Sequence, residues 1–299
     1  MLKTKEIAFF NVSRHDEGVR LSSFVRHQLD GNHSLSAVKR AIDRCAVQVN
    51  GKTECFSSYK VAYGDEVAID LEVLEQMAQI APEKASQVLY EDDQLLIFDK
   101  AWGLTCSPED IQTQFPDTII VHRLDKETTG VMALAKTPAV QKYMEELFRK
   151  REVKKDYLAV VAGEVSIDKG VVDCSIQKVV SYDGQTIWGA APAGRGLRAT
   201  TYWQRLKWGG GLSLLRCQPK TGRTHQIRVH LQHIGYPILG DRQYGRDTDC
   251  QFVAKRQMLH AKGLAFIHPV TGELIRVEAA VPDDFQSAVD TIDACLVSS

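Results

Sequence analysis

VHRLDKETTGVMALAK, residues 121–136, decides the reading of this chain. An apolar, β-type run from Thr118 to Val121 leads into four polar or charged residues: His122, Arg123, Asp125 and Lys126. Thr128, Thr129 and Gly130 then turn the chain into a second apolar run, Val131 to Ala135. A loop between two buried strands is a rigid mount for reactive groups. Taken alone, the stretch also fits a surface loop laced with salt bridges.

The surrounding chain bounds the choice. Its 299 residues suit one large domain or two ordinary ones, and 44% hydrophobic with 25% charged content is that of a globular protein with a sizeable core. No apolar run is long enough for a membrane span, and the first residues lack a signal-peptide pattern. Seven cysteines, an odd number without CxxC spacing, point to reduced thiols and a cytoplasmic location. A net charge of −1 argues mildly against nucleic-acid binding. Yet between Arg216 and Lys262 nine Lys/Arg face three acids, a local basic surface able to hold phosphates.

Taken in order, the chain opens with a short β-like piece, Glu6 to Val12. Leu21, Phe24, Val25 and Leu29 fall at helical spacing, and Gly31-Asn32 end that helix. Ser34 or Ser36 caps a second helix through Val38, Ala41 and Ile42, whose other face carries Lys39, Arg40 and Arg44. Ala46 to Val49 and Val67 to Leu71 read as strands, with a tight Asn50-Gly51 turn. Glu72 to Gln87 is polar, contains Pro82 and reads as a linker. Further on, Leu95 to Phe98 is a strand, Thr137-Pro138 start a helix through Phe148, and Asp156 to Val161 is a strand with Tyr157 at its entrance. Residues 163 to 198 read as a turn-rich arm. Ala199 to Leu206 and Leu212 to Cys217 read as a strand pair. Thr224 is placed to cap a helix with Ile227, Leu231 and Ile234 on its buried face, stopped by Gly235.

The HRLD of the opening stretch closely resembles the signature of the RluA-type pseudouridine synthases. PKTGRTHQIRVHLQHIGYPILGDRQYG (219–245) and QMLHAKGLAFIHP (257–269) resemble later motifs of that family, and VLYEDDQLLIFDKAWGLTCSP (88–108) resembles its start. At least four blocks thus stand in the family's order over about 88–282. Residues 19 to 72, with the phrase VQVNGK…VAYGDEV, resemble the S-four-like (alpha-L) RNA-binding domain. The resemblance implies an α+β fold: a catalytic domain around a mixed, mainly antiparallel sheet, behind a small N-terminal module. The expected division is an RNA-binding domain at 1–75, a linker at 76–87 and a catalytic domain at 88–299.

It further implies an enzyme that isomerises uridine in structured RNA and acts as a monomer away from membranes; the S-four-like module leans toward large-subunit ribosomal RNA, with a transfer RNA uridine isomerase of the same family as the alternative. The glycosidic bond breaks, the base turns, and carbon 5 rejoins the same sugar carbon, so no cofactor or metal is called for. The sequence carries no GxGxxG, no phosphate-binding loop and no clear metal spacing; the His225–His230 interval is poor for one helix face. A carboxylate must stand beside the anomeric carbon, and by resemblance it is Asp125. Arg223 is the implied partner that keeps it ionised, and Tyr157 the ring against the uracil. Arg123 is the implied side chain that fills the gap left by the flipped base. His122 joins the RNA-facing set by ordering the loop. Lys39, Arg40, Arg44, Lys220 and Arg228 are expected to face phosphates or serve as structural charges. A non-catalytic RNA-binding or ribosome-assembly protein is the competing class. A sugar hydrolase would require an acid beside Asp125, for which Glu127 is the adjacent candidate.

Overall fold

The computed structural model describes residues 6–54, 56–78, 86–182, 185–245 and 254–297. Two compact units divide the chain: Met1–Pro82 with Val179–Ile187, and Glu83–Lys178 with Trp188–Ser299.

The first unit contains β1 (Ile7–Asn11), α1 (Leu21–Gln28), α2 (Leu35–Asp43), β2 (Val47–Val49), β3 (Lys52–Glu54), β4 (Glu66–Asp70) and α3 (Leu71–Ala78). Its strands form an antiparallel sheet in the order β1-β4-β2-β3. Leu21, Phe24 and Val25 of α1 and Val38, Ala41 and Ile42 of α2 bury against Val47, Val67 and Ile69 of the sheet. Ser34 is the cap of α2 and accepts from the Ala37 amide at 3.1 Å. Asn50 and Gly51 both take left-handed backbone, as the tight turn between β2 and β3 requires. The linker expected from Glu72 is instead helical to Ala78. Leu74 and Met77, three apart, bury one side of α3 in the core of this unit. Arg40 also departs from a helix face turned to solvent. Its guanidinium donates to the Met77 carbonyl at 2.7 Å, satisfying an otherwise open group at the end of α3.

The second unit follows with β5 (Gln87–Glu91), β6 (Leu95–Lys100), α4 (Pro108–Gln114), β7 (Ile119–Ile120), β8 (Thr129–Ala135), α5 (Pro138–Lys150), β9 (Lys154–Ala162) and β10 (Lys169–Asp173). Then come β11 (Ile176–Tyr182) and β12 (Gln185–Ala190), whose residues 179–187 count with the first unit, followed by β13 (Thr200–Gly209), β14 (Leu212–Pro219), α6 (Gln226–His233), β15 (Leu259–Ile267), β16 (Leu274–Glu278) and α7 (Asp283–Val297). Ten strands form one sheet with the central order β10-β13-β14-β9-β15-β8-β6-β5; β16 pairs with β15 and β7 with β8. β11 and β12 pair separately. Among the described residues the large sheet is antiparallel except where β8 meets β15, His260 opposite Thr129 and Ala261 opposite Gly130.

That exception positions the loop. β15 runs along β9 with a register break between His260 and Gly263, and at the break it also pairs with the start of β8. The backbones approach so closely that a Cβ on Gly130 would stand 2.2 Å from the Ala261 carbonyl oxygen. Gly130 itself has φ +110°, open to glycine and closed to most other residues. Every residue of β8 is buried. Its apolar side chains pack between two clusters, Val131, Ala133 and Ala135 with Leu95, Ile97, Met144 and Phe266, and Met132 and Leu134 with Phe98 and Leu124.

Candidate active site

Asp125 stands on the loop that enters β8, and each of the next four residues is held by a different group. The ammonium of Lys100, fully buried, donates to the Lys126 carbonyl at 3.1 Å and to those of Ala101 and Leu104 at 2.9 Å. Buried Arg256 donates to the Glu127 carbonyl at 3.3 Å and is itself fixed by both oxygens of Asp284 at 2.8 and 3.0 Å. Gln257 donates to the Thr128 hydroxyl at 2.7 Å, and Thr129 bonds His260 Nδ1 at 2.9 Å. The Thr128 amide closes the turn onto the Asp125 carbonyl at 3.0 Å. Ahead of the aspartate, His122 Nε2 accepts from the Ala133 amide at 2.9 Å while the ring stacks on Phe148. Burial, aided by Lys155, pushes the His122 pKa down to about 3. It is therefore a neutral acceptor bonded to the following strand.

Beside this loop lies a cleft of about 460 Å³. Its walls come from the loop, from β9 through Tyr157, and from the segment between β14 and α6 through Arg223, His225 and Arg228. Arg123, Arg149, Arg151 and Lys155 also line it, so Asp125 faces a ring of cations. Lys155 and Tyr157 are two apart on β9 and present the same face to the cleft. Lys155 Nζ donates to the Thr221 carbonyl at 2.8 Å. Burial, then Arg151, lowers its pKa to about 8. Burial and the Asp125 charge push the Tyr157 phenol well up, so it stays protonated at neutral pH.

The carboxylate partner is Arg228, which corrects the pairing expected with Arg223. Arg228 Nη1 donates to Asp125 Oδ2 at 3.1 Å, while its Nε and Nη2 grip Asp241 at 2.7 and 2.9 Å. Arg223 donates from Nε to the Arg198 carbonyl at 3.2 Å and is exposed on the cleft wall. The physical reason is where α6 begins. Its N-cap is His225 rather than Thr224, so the helix starts at Gln226 and Arg228 lies in its first turn, on a helix whose residues from Gln226 to Leu231 are all buried. Gln226 fastens the preceding loop: its Oε1 accepts from Thr221 Oγ1 at 2.6 Å and the Arg223 amide at 3.0 Å. Burial opposes ionisation of Asp125, but the charge and hydrogen bond of Arg228, with Arg123 behind it, outweigh burial and hold the carboxyl below its usual range.

Other expectations resolve case by case. Arg123 is exposed on the cleft wall two residues from Asp125. Lys220 is away from the cleft-lining set, with its ammonium 5.5 Å from the centre of the Tyr202 ring. The α6 N-cap is His225, not Thr224; its backbone is left-handed at φ 56° and its side chain makes no cap bond. His225 Nδ1 bonds the Tyr244 hydroxyl at 2.8 Å, and His230 bonds Thr201 Oγ1 and the Cys174 carbonyl, both at 2.9 Å. Sequence reasoning missed Lys100, Lys155, His225 and the clamp from Arg256. For Lys155 the signal was available, because it precedes Tyr157 by one strand period.

A half-buried, ionised aspartate beside a protonated tyrosine in a cation-lined cleft suits chemistry on an anionic sugar polymer. Comparison with known proteins gives that class its family. The family model described as RNA pseudouridylate synthase matches residues 94–233. Ribosomal large subunit pseudouridine synthase C of Salmonella typhimurium is 31% identical, covering 97% of this chain and 98% of its own. Ribosomal large subunit pseudouridine synthase D of Yersinia pestis is 33% identical, covering 89% of each. Among solved structures, human RNA Pseudouridylate Synthase Domain Containing 1 superposes with a TM-score of 0.59 at 27% identity, over 72% of this chain and 90% of that one. The chain belongs to the RNA pseudouridylate synthase family. It is an isomerase that moves the uracil of a uridine in RNA from a nitrogen to a carbon link. No helix among the described residues is long and apolar enough to cross a membrane.

Proposed function

We propose that this enzyme converts uridine to pseudouridine in large-subunit ribosomal RNA, with Asp125 acting at the anomeric carbon of the flipped nucleotide. The observation that carries the assignment is the Arg228–Asp125 contact of 3.1 Å inside the cleft, which keeps a desolvated carboxylate charged. Such a carboxylate either adds to the sugar or stabilises positive charge on it as the base departs. Tyr157 lies against the uracil, with its phenol as a proton-bearing edge. Arg223, Arg149, Arg151 and Lys155 take the neighbouring phosphates. Arg123 enters the space the base vacates, which offsets part of the few kcal/mol lost in unstacking.

The ribosomal target follows from the names of the two bacterial relatives. The first unit serves as the RNA-binding module, with Lys39 and Arg44 at its RNA face, and the enzyme works in the cytoplasm as a monomer without a cofactor. Tritium release from large-subunit RNA transcripts labelled at carbon 5 of uracil tests the activity. Chemical pseudouridine maps of total RNA with and without the gene then locate the site. Release from transfer RNA alone would move the substrate, and no release from either would remove the proposal.

A further inference from the structure

His225 has no part in the reaction as described, yet three restraints aim it at the reacting centre. Its backbone is left-handed at φ 56°, a conformation a residue with a Cβ holds only when its surroundings impose it. Its Nδ1 is tied to the Tyr244 hydroxyl at 2.8 Å. That hydroxyl in turn accepts the Trp188 backbone N–H at 3.1 Å, and donating its own proton to Nδ1 gives it one bond of each kind. With Nδ1 as the acceptor, Nε2 carries the N–H of the neutral ring, and this is the tautomer the proposal uses. Burial, with Arg228 nearby, lowers the His225 pKa to about 4, so the ring is neutral at physiological pH and this N–H is a single, directed donor.

Nε2 lies 3.9 Å from Asp125 Oδ1. That separation is too long for a hydrogen bond, and with a neutral ring it is not an ion pair. Among the described residues neither atom has another hydrogen bond. Arg228 occupies the other carboxylate oxygen, Oδ2. A donor and an acceptor thus face each other across a gap one oxygen wide. An oxygen at ordinary hydrogen-bond lengths of about 2.8 Å from each closes that triangle. It must accept a hydrogen bond from Nε2–H and donate one to Oδ1, which excludes a carbonyl, an ether or a phosphate oxygen and leaves a water or a hydroxyl that replaces it. On a nucleotide whose anomeric carbon faces Asp125, the hydroxyl on the adjoining carbon is the 2′-OH.

We propose that His225 and Asp125 together hold the 2′-hydroxyl of the target ribose, making His225 the residue that distinguishes ribose from deoxyribose at that position. The inference rests on the reading of Asp125 as the residue at the anomeric carbon. It applies equally whether the carboxylate adds to the sugar or promotes loss of the base, because in both cases the adjoining hydroxyl is fixed beside it.

The test is a cycle between residue and substrate. Synthetic oligonucleotides spanning the mapped uridine carry either ribose or 2′-deoxyribose at that one position. They are assayed with the wild-type enzyme and with His225→Gly, which removes the ring and suits the left-handed backbone. Wild type is expected to prefer the ribose substrate by about 30-fold or more in kcat/KM, and His225→Gly to lose most of that preference, leaving a ratio within about 3-fold. His225→Gln, which restores an N–H donor, should recover part of it. If turnover by the glycine variant is too slow to compare, the ratio of the two Kd values is measured instead. A preference as large without the ring as with it, by either readout, overturns the proposal. A wild-type enzyme that forms no pseudouridine in the ribose oligonucleotide would count against the assigned activity, a separate failure.

Discussion

Arg228 joins two carboxylates that are far apart in the chain: one edge of its guanidinium grips Asp241 at 2.7 and 2.9 Å, and the remaining nitrogen reaches Asp125 at 3.1 Å. Asp241 is the anchor, with a side chain 0% exposed, and Asp125 the working end. This arrangement separates two arginines of one motif. Arg228→Ala leaves a buried charge without its partner and is expected to destabilise the protein by about 3–5 kcal/mol. Arg223→Ala removes one exposed hydrogen bond and should cost under about 1 kcal/mol, while weakening RNA binding. Urea denaturation of the two variants checks this, and similar midpoints would undo the pairing.

Asp125→Asn keeps the size of the side chain and removes its charge. It is expected to bind RNA with near-wild-type affinity and to lower pseudouridine formation by on the order of 10⁴-fold. Tritium release read beside filter binding of the same RNA separates the two effects, and turnover within tenfold of wild type would reassign the residue.

Lys155 gives the protein a pH dependence of definite sign. Its folded pKa of about 8 lies below the ordinary 10.5. In the free protein the charge is therefore disfavoured below about pH 8, and this penalty fades as pH rises from there toward 10.5. RNA affinity moves the other way, because deprotonation removes a cleft cation. Measured at constant salt, the Kd of the wild type should rise between pH 7 and 9. Lys155→Gln should begin weaker at pH 7 and lack that step.

Gly130→Ala tests the close approach of β8 and β15. A methyl group 2.2 Å from the Ala261 oxygen, at φ +110°, requires the strands to part. A loss of about 3 kcal/mol or more, or failure to accumulate soluble protein, is expected. A wild-type denaturation midpoint would show that the junction yields freely.

The loop at 121–136 and the segment from 219 to 235 were legible because periodicity and turn residues bracket them. The sheet was legible in class but not in order, since strand neighbours such as β9 and β15 are set by pairing over a hundred residues apart. Arg228 escaped for a related reason. Its partner depends on where α6 starts, and His225 starts it with a backbone that spacing rules do not anticipate. α3 was hidden by its charged face and by the nearby Pro82, although Leu74 and Met77 carry the stripe that buries it. Lys100 and Arg256 read as surface cations by type; only the carbonyls that converge on them explain why they are inside.

The one parallel contact among the described residues, at Thr129 and Gly130 against His260 and Ala261, makes the reactive loop a keystone between the two wings of the sheet. At one margin β10 lies four strands from β15, while at the other only β6 separates β5 from β8. The far wing of the sheet, from β14 out to β10, is therefore tied to the reactive loop only through β9 and β15, so a change at that margin reaches the catalytic geometry last.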